Sequence, residues 1–214
     1  RKTLVPSLLQ AVRENPNIEE MKIFELANIY IPRPRELPKE TLMLSGIIKK
    51  PKVSFFEIKG IIERLLEDVG IKNLVFEMSD KGGFEVDIEL ESELLGNIEV
   101  LDENIADFEL NFETIIEFAN LTKIYSGIPK YPPIIEDLAI VVDLDIPTGK
   151  IIDETKKQSN LITDVSLLDQ FNDTKTFHII YQDREKNLTT EEIAPIREKI
   201  LKSLKEKFHA KLKE

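Results

Sequence analysis

The 214-residue sequence has no cysteine and no tryptophan, only two histidines and only eight glycines. Without a thiol there is no disulfide, no thiolate zinc site and no cysteine nucleophile, which fits a reducing cytoplasm. The scarce glycines form none of the phosphate-binding or nucleophile-elbow spacings GxGxxG, GxxxxGK[ST] or GxSxG. Gly82–Gly83 reads as a turn rather than a phosphate cradle. His178 and His209 stand alone, whereas a metal site needs about three convergent ligands. His178 falls mid-strand and reads as a residue that packs or hydrogen-bonds. No apolar run approaches the roughly 20 residues of a membrane-spanning helix. The opening "RKTLVPSLLQAV" is neither a signal peptide nor headed by Met, so a fragment lacking its earlier part is expected. The chain reads as soluble and cytoplasmic.

Charge is abundant and uneven. Lys and Arg number 29 against 40 Asp and Glu, a net charge of −11. Residues 1–121 hold 14 basic and 24 acidic side chains, and residues 122–214 hold 15 and 16. Near the end, Arg197, Lys199, Lys202, Lys205, Lys207, Lys211 and Lys213 face only Glu198, Glu206 and Glu214. That is a local basic patch on an acidic molecule.

Periodicity predicts a helix over 3–14, with Pro6 tolerated in its first turn. Strands follow at 22–31 and 41–48, separated by "PRPRELP", whose prolines should end the ladder. "SFFEIKGIIERLLEDVG" has a capping-box pattern at Ser54 and Glu57, a stripe of Phe55, Ile58, Ile62, Leu65, Leu66 and Val69, and Gly70 as terminator. "LVFEM", "FEVDIEL", "GNIEVLD" and "ADFELNF" read as short strands. A Pro-rich linker, "SGIPKYPPIIED", marks a boundary near 119–126 and predicts domains 1–120 and 121–214. Beyond it come strand 138–143, a helix opening at Pro147, strands 164–171 and 175–182 around the turn "NDT", and a helix capped by Thr189 and Glu192. An edge strand in "HAKLKE" completes a ferredoxin-like βαββαβ order. The fold class expected is α+β.

No constellation for catalysis stands out. Glu85, Asp87, Glu89 and Glu91 alternate along one strand and read as a solvated face rather than paired catalytic carboxylates. Lys199, Lys202 and Lys205 recur on successive turns, a row that can neutralise phosphates or simply solubilise. Tyr131 can stack on an unpaired base or pack against the neighbouring domain.

Four segments in order carry a resemblance. "RKTLVPSLLQAVREN…KIFELANIY", "SFFEIKGIIERLLEDVGI", "PKYPPIIEDLAIVVD" and "TFHIIYQDREKNLTTEEI" are similar to segments of the β subunit of bacterial phenylalanyl-tRNA synthetase. Together they span nearly all of the chain. The resemblance implies an antiparallel, class II synthetase-like but non-catalytic module in residues 1–120. A ferredoxin-fold anticodon-binding domain, contacting the anticodon stem-loop of tRNA(Phe), is implied for the rest. It implies the α subunit as partner within a heterotetramer, and ATP and Mg²⁺ bound in that α subunit rather than here. A class II ATP site needs an arginine on the strand "KIFELANIYI", yet Arg33 and Arg35 fall in the proline turn beyond it. No catalytic, cofactor or metal residue is therefore expected in this chain.

From charge and expected exposure, not from a family motif, Lys130, Lys175, Lys186, Lys205, Lys211 and Lys213 are candidate phosphate contacts and Tyr131 a candidate stacking group. Two departures from the family pattern bear on RNA affinity. Glu136 stands where an arginine is expected, and the terminal Leu212–Lys213 replaces a Leu–Arg pair, losing a bidentate fork. The alternative reading is a protein-interaction module that binds no RNA.

Overall fold

The computed structural model describes residues 1–80, 84–122, 125 and 127–213. The expected Gly82–Gly83 turn lies outside the described residues. The chain divides into two compact units, Arg1–Tyr125 and Ser126–Glu214. Among the described residues, no helix is long and apolar enough to cross a membrane.

The first unit runs α1 (Val5–Glu14), β1 (Met21–Arg33), β2 (Glu36–Lys49), α2 (Phe55–Asp68), β3 (Val75–Met78), β4 (Glu85–Leu90), β5 (Glu93–Val100), β6 (Ile105–Asn111) and α3 (Phe112–Phe118). The strands form one antiparallel sheet in the order β1-β2-β6-β5-β4-β3. The prolines of residues 32–38 do not end the ladder as expected. Pairing resumes at Arg33–Glu36 after a register shift beyond Ile31. Pro32 falls in that shift on an edge strand, where a missing N–H is tolerated. The short α3 has no counterpart in the periodic pattern; the Asn111 side chain caps it by accepting from the N–H groups of Glu113 and Thr114.

Helix α2 matches the periodic stripe, with Ile58, Ile62 and Leu66 buried against Leu44, Ile48, Ile88, Ile98 and Leu110 of the sheet. Its start differs from the expected capping box. The Ser54 hydroxyl accepts from the N–H of Phe56 at 3.2 Å, while Glu57 pairs with Lys22 and Lys50. Those two cations, Lys50 foremost, hold the Glu57 carboxyl below the usual range. Gly70 ends the helix at φ 83°, and a Cβ there would lie 2.1 Å from the Asn120 carbonyl oxygen. On the other sheet face, Leu8 and Val12 of α1 pack on Ile47.

That second face also carries the acidic residues, and it is not the solvated face expected. Register places Glu85, Glu99 and Asp107 in one row across β4, β5 and β6, with Glu109 one step along β6. Asp107 is only 1% exposed and, among the described residues, its Oδ2 has no hydrogen-bond partner. Burial first, then Glu99, Glu109 and Glu85, pushes its carboxyl up to about 7. Glu109 accepts hydrogen bonds from the Thr3 hydroxyl and the Leu4 N–H, and Glu85 accepts from the Asn97 amide. Glu91 has left the strand for a left-handed turn.

At the opposite edge, Phe24, Leu26 and Tyr30 alternate along β1 and stay exposed, Phe24 at 74%. They extend the α2-side core beyond its covered part, since Phe24 and Leu26 pair with Gly46 and Leu44 of β2.

The second unit comprises β7 (Ile134–Val141), α4 (Thr148–Lys156), β8 (Ile162–Phe171), β9 (Thr174–Tyr181), α5 (Thr190–Phe208) and β10 (Lys211–Leu212). Sheet order β10-β7-β9-β8 with this βαββαβ sequence is the ferredoxin-like plan. Both helices cover one face: Ile151, Ile193, Ile196, Ile200 and Leu204 pack with Leu138, Ile140, Val165, Phe177 and Ile179. The capping box at Thr189 and Glu192 is formed. Thr189→Ala should therefore destabilise this unit by about 1 kcal/mol, read as a lower urea midpoint. Buried Glu154 ties α4 to α5 by accepting from Ser203 and pairing with Lys207 at 2.6 Å. Lys207, with Ser203, holds the Glu154 carboxyl below the usual range.

Candidate nucleic-acid interface

Because side chains alternate across a strand, the residues between the core positions of β7, β9 and β8 form a face that neither helix covers. Register orders this face into rows. One row reads Lys211, Val141, Thr174, Phe171. The next reads Ala139, Thr176, Asp169, with Lys213 donating its N–H to the Ala139 carbonyl at 3.0 Å. A third reads Asp137, His178, Ser166.

Phe171 is 70% exposed at the end of β8, beside the turn in which Asn172 takes φ 54°. Three strand spacings of about 4.8 Å separate it from β10, so Phe171 and Lys211 stand about 14 Å apart on opposite borders of the face. An exposed aromatic at one border and cations at the other suit a single strand: bases stack on the ring while phosphates meet the lysines.

The candidate residues chosen from sequence do not form one cluster. Lys211 on β10 and Lys213 just after it border the open face, and exposed Lys205 lies on α5 beside that edge. Lys205 and Lys211 also line a groove of about 330 Å³ floored by Leu204 and Ala210. Lys130 and Tyr131 precede β7 and lie at the far end of the sheet, where the Tyr131 carbonyl accepts from the Gln182 side chain at 2.8 Å. Lys186 lies in the loop after Gln182 and is tied to the capping residue Glu192. That hydrogen bond and charge raise the Lys186 ammonium above its ordinary range.

Lys175 is corrected outright. It is 2% exposed and its ammonium donates to the Ile146 carbonyl at 2.7 Å. Burial pulls its ammonium down, offset in part by Asp143. A side chain anchored beneath the sheet cannot serve a phosphate on its surface.

Glu136 also changes meaning. It points to the helix side, pairs with Arg197 of α5 and accepts from the buried Tyr181 hydroxyl at 3.4 Å. Burial and this carboxylate push the Tyr181 phenol up. The substitution of an expected arginine by Glu136 thus leaves the open face's charge untouched.

Arg33 needs a similar adjustment. It closes β1 rather than lying beyond it, and it is ion-paired with Glu36 at 3.5 Å. Among the described residues, no group of three or more His, Asp or Glu could hold a metal.

Sequence reading misses Phe171 and sets His178 aside. Strand β8 has register shifts between Ile162 and Asp164 and between Leu167 and Asp169. Each shift breaks the two-residue alternation, so the face Phe171 occupies is not readable by counting.

Residues 129–213 match the ferredoxin-fold anticodon binding domain. Residues 1–115 match the phenylalanyl tRNA synthetase beta chain CLM domain. A phenylalanine–tRNA ligase beta subunit of Bacillus cereus is 29% identical over 250 aligned positions, covering 100% of this chain and 31% of that protein. The Bacillus subtilis (strain 168) counterpart is 26% identical over 251 positions, with the same coverages. A crystal structure of pyrrolysyl-tRNA synthetase from Desulfitobacterium hafniense superposes with a TM-score of 0.46 at 19% identity, over 54% of this chain and 48% of that one. The second unit is of the ferredoxin-fold anticodon-binding class. The chain as a whole belongs to the phenylalanyl-tRNA synthetase beta chain family. It spans just under a third of the length of the curated relatives it matches.

Proposed function

We propose that this chain is the part of a phenylalanine–tRNA ligase β subunit that holds the anticodon arm of tRNA(Phe) and docks the α subunit, in the cytoplasm. The uncovered sheet face of the second unit, with Phe171 exposed at its border, carries the reading. Unpaired loop bases lie across that face, and Lys205, Lys211 and Lys213 meet phosphates along its β10 border. Lys130, Tyr131 and Lys186, at the far end of the sheet, reach the arm only if it runs the length of the strands. The exposed Phe24, Leu26 and Tyr30 of β1 supply an apolar strip for the α subunit. ATP and Mg²⁺ would be held by that α subunit, and the assembled enzyme would be a heterotetramer.

Titration of the chain with a tRNA(Phe) transcript tests the reading. Three phosphate contacts predict an affinity about 20- to 40-fold weaker at 200 mM than at 50 mM salt. Replacing Lys205, Lys211 and Lys213 together by Ala should flatten that dependence. Absence of binding at either salt would refute the RNA reading and leave a protein-interaction module.

A further inference from the structure

The third row of the open face contains Asp137, His178 and Ser166 on three adjacent strands. His178 Nδ1 lies 2.6 Å from Asp137 Oδ1. The residue types are those of a nucleophilic triad, but the place does not suit that chemistry. An oxyanion needs N–H donors aimed at it above the nucleophile. The N–H groups of a strand lie in the plane of the sheet and point at neighbouring strands or along its free edge. None projects onto the face beside Ser166.

The row suits recognition instead. A carboxylate that accepts from Nδ1–H holds a neutral imidazole in one tautomer, leaving Nε2 as a bare lone-pair acceptor. Among the described residues, no hydrogen bond engages Nε2. The neighbouring row places Ile135 beside Ile180, and the row on the other side places Ala139 beside Thr176. On β7 and β9 the fixed acceptor is therefore flanked by uncharged side chains, with Asp164 and Asp169 at the β8 ends of those two rows, on a surface broad enough for a base to lie flat. A base amino group at that point completes the acceptor, whereas a base carbonyl sets lone pair against lone pair.

The geometry points to His178 as a residue that selects one unpaired loop base by its amino group, with Asp137 as the residue that positions it. This rests on the anticodon-arm reading above. Asp137 acts through the ring; it need not touch RNA.

The test uses the whole chain and synthetic anticodon-arm hairpins of tRNA(Phe) at pH 8, above the ordinary value of a free imidazole. Each amino-bearing loop base is replaced in turn by its analogue lacking the amino group. The wild-type chain should lose about 3- to 10-fold in affinity at one position, the range of one hydrogen bond. His178→Ala should bind the parent hairpin more weakly and be indifferent to the analogue at that position. Asp137→Asn, whose amide can either accept from or donate to Nδ1, should keep most of its affinity while discriminating less than about twofold. Both variants should unfold at the wild-type urea midpoint, since the row is half-exposed.

An equal loss by His178→Ala on every hairpin, or discrimination that survives it, would overturn the assignment and leave the anticodon-arm reading intact. Failure of the wild-type chain to bind any hairpin would overturn both.

Discussion

Asp107→Asn should stabilise the first unit by about 2 kcal/mol at pH 8 and by almost nothing at pH 5. The wild-type carboxyl is buried beneath the acidic sheet face, and its folded-state value is pushed up to about 7. A carboxyl raised on folding contributes stability that is complete below the unfolded value, near 4, and is lost as pH rises through 7. The wild-type chain should therefore become more stable on acidification from pH 8 to pH 5. The rise from near 4 to about 7 sets an upper bound of about 4 kcal/mol on that gain. Asparagine removes the charge but keeps a polar group with unmet hydrogen bonds, so it recovers only part. Groups pulling the other way, Glu57 and Glu154, lie below the usual range and lose their contribution only at lower pH. Urea unfolding followed by circular dichroism at both pH values reads the effect. Wild-type stability that stays flat between pH 5 and 8, or an asparagine variant no more stable at pH 8, would show that Asp107 is not held as a strained carboxylate.

Phe171→Ala should weaken binding of the tRNA(Phe) anticodon arm by about 10- to 100-fold while leaving the fold intact. Stacking of a base on an aromatic ring is worth about 1–3 kcal/mol, and a largely solvent-exposed ring contributes little to the core. The loss should be nearly the same at 50 and 200 mM salt, because stacking releases no counterions. Substitution of Lys205, Lys211 and Lys213, by contrast, should change the salt slope itself. Phe171→Tyr should bind like wild type, since it keeps the ring face. An alanine variant with wild-type affinity would move the base-binding surface away from this face, towards Tyr131 at the other end of the sheet.

Much of the fold is legible in the sequence. The stripe of Ile58, Ile62 and Leu66, the cap at Thr189 and the βαββαβ order follow from local spacing, which a helix or strand reports at fixed periods. The same rules fail where neighbours override them. Pro32 does not end β1 because a register shift on an edge strand absorbs it. The acidic alternation of "FEVDIEL" suggests water, yet pairing with β5 and β6 gathers several carboxylates and buries Asp107.

The candidate site is less legible than the fold. Lysine exposure is not encoded in spacing, so Lys175 is a candidate by charge and proves buried, while Lys211 stands on the surface two strands away. Phe171 is hidden by two register shifts, and His178 is undervalued because Asp137 is 41 residues away in the chain.

What the sequence by itself determined is therefore the set of elements, their order and the family they spell, because these depend on neighbours within a few residues. Only the tertiary structure decided which sheet face stays open, which charges are neutralised beneath it, as with Glu136 and Arg197, and which residues share a row. Strand register sets those relations, and it joins residues by distance in space rather than by distance along the chain.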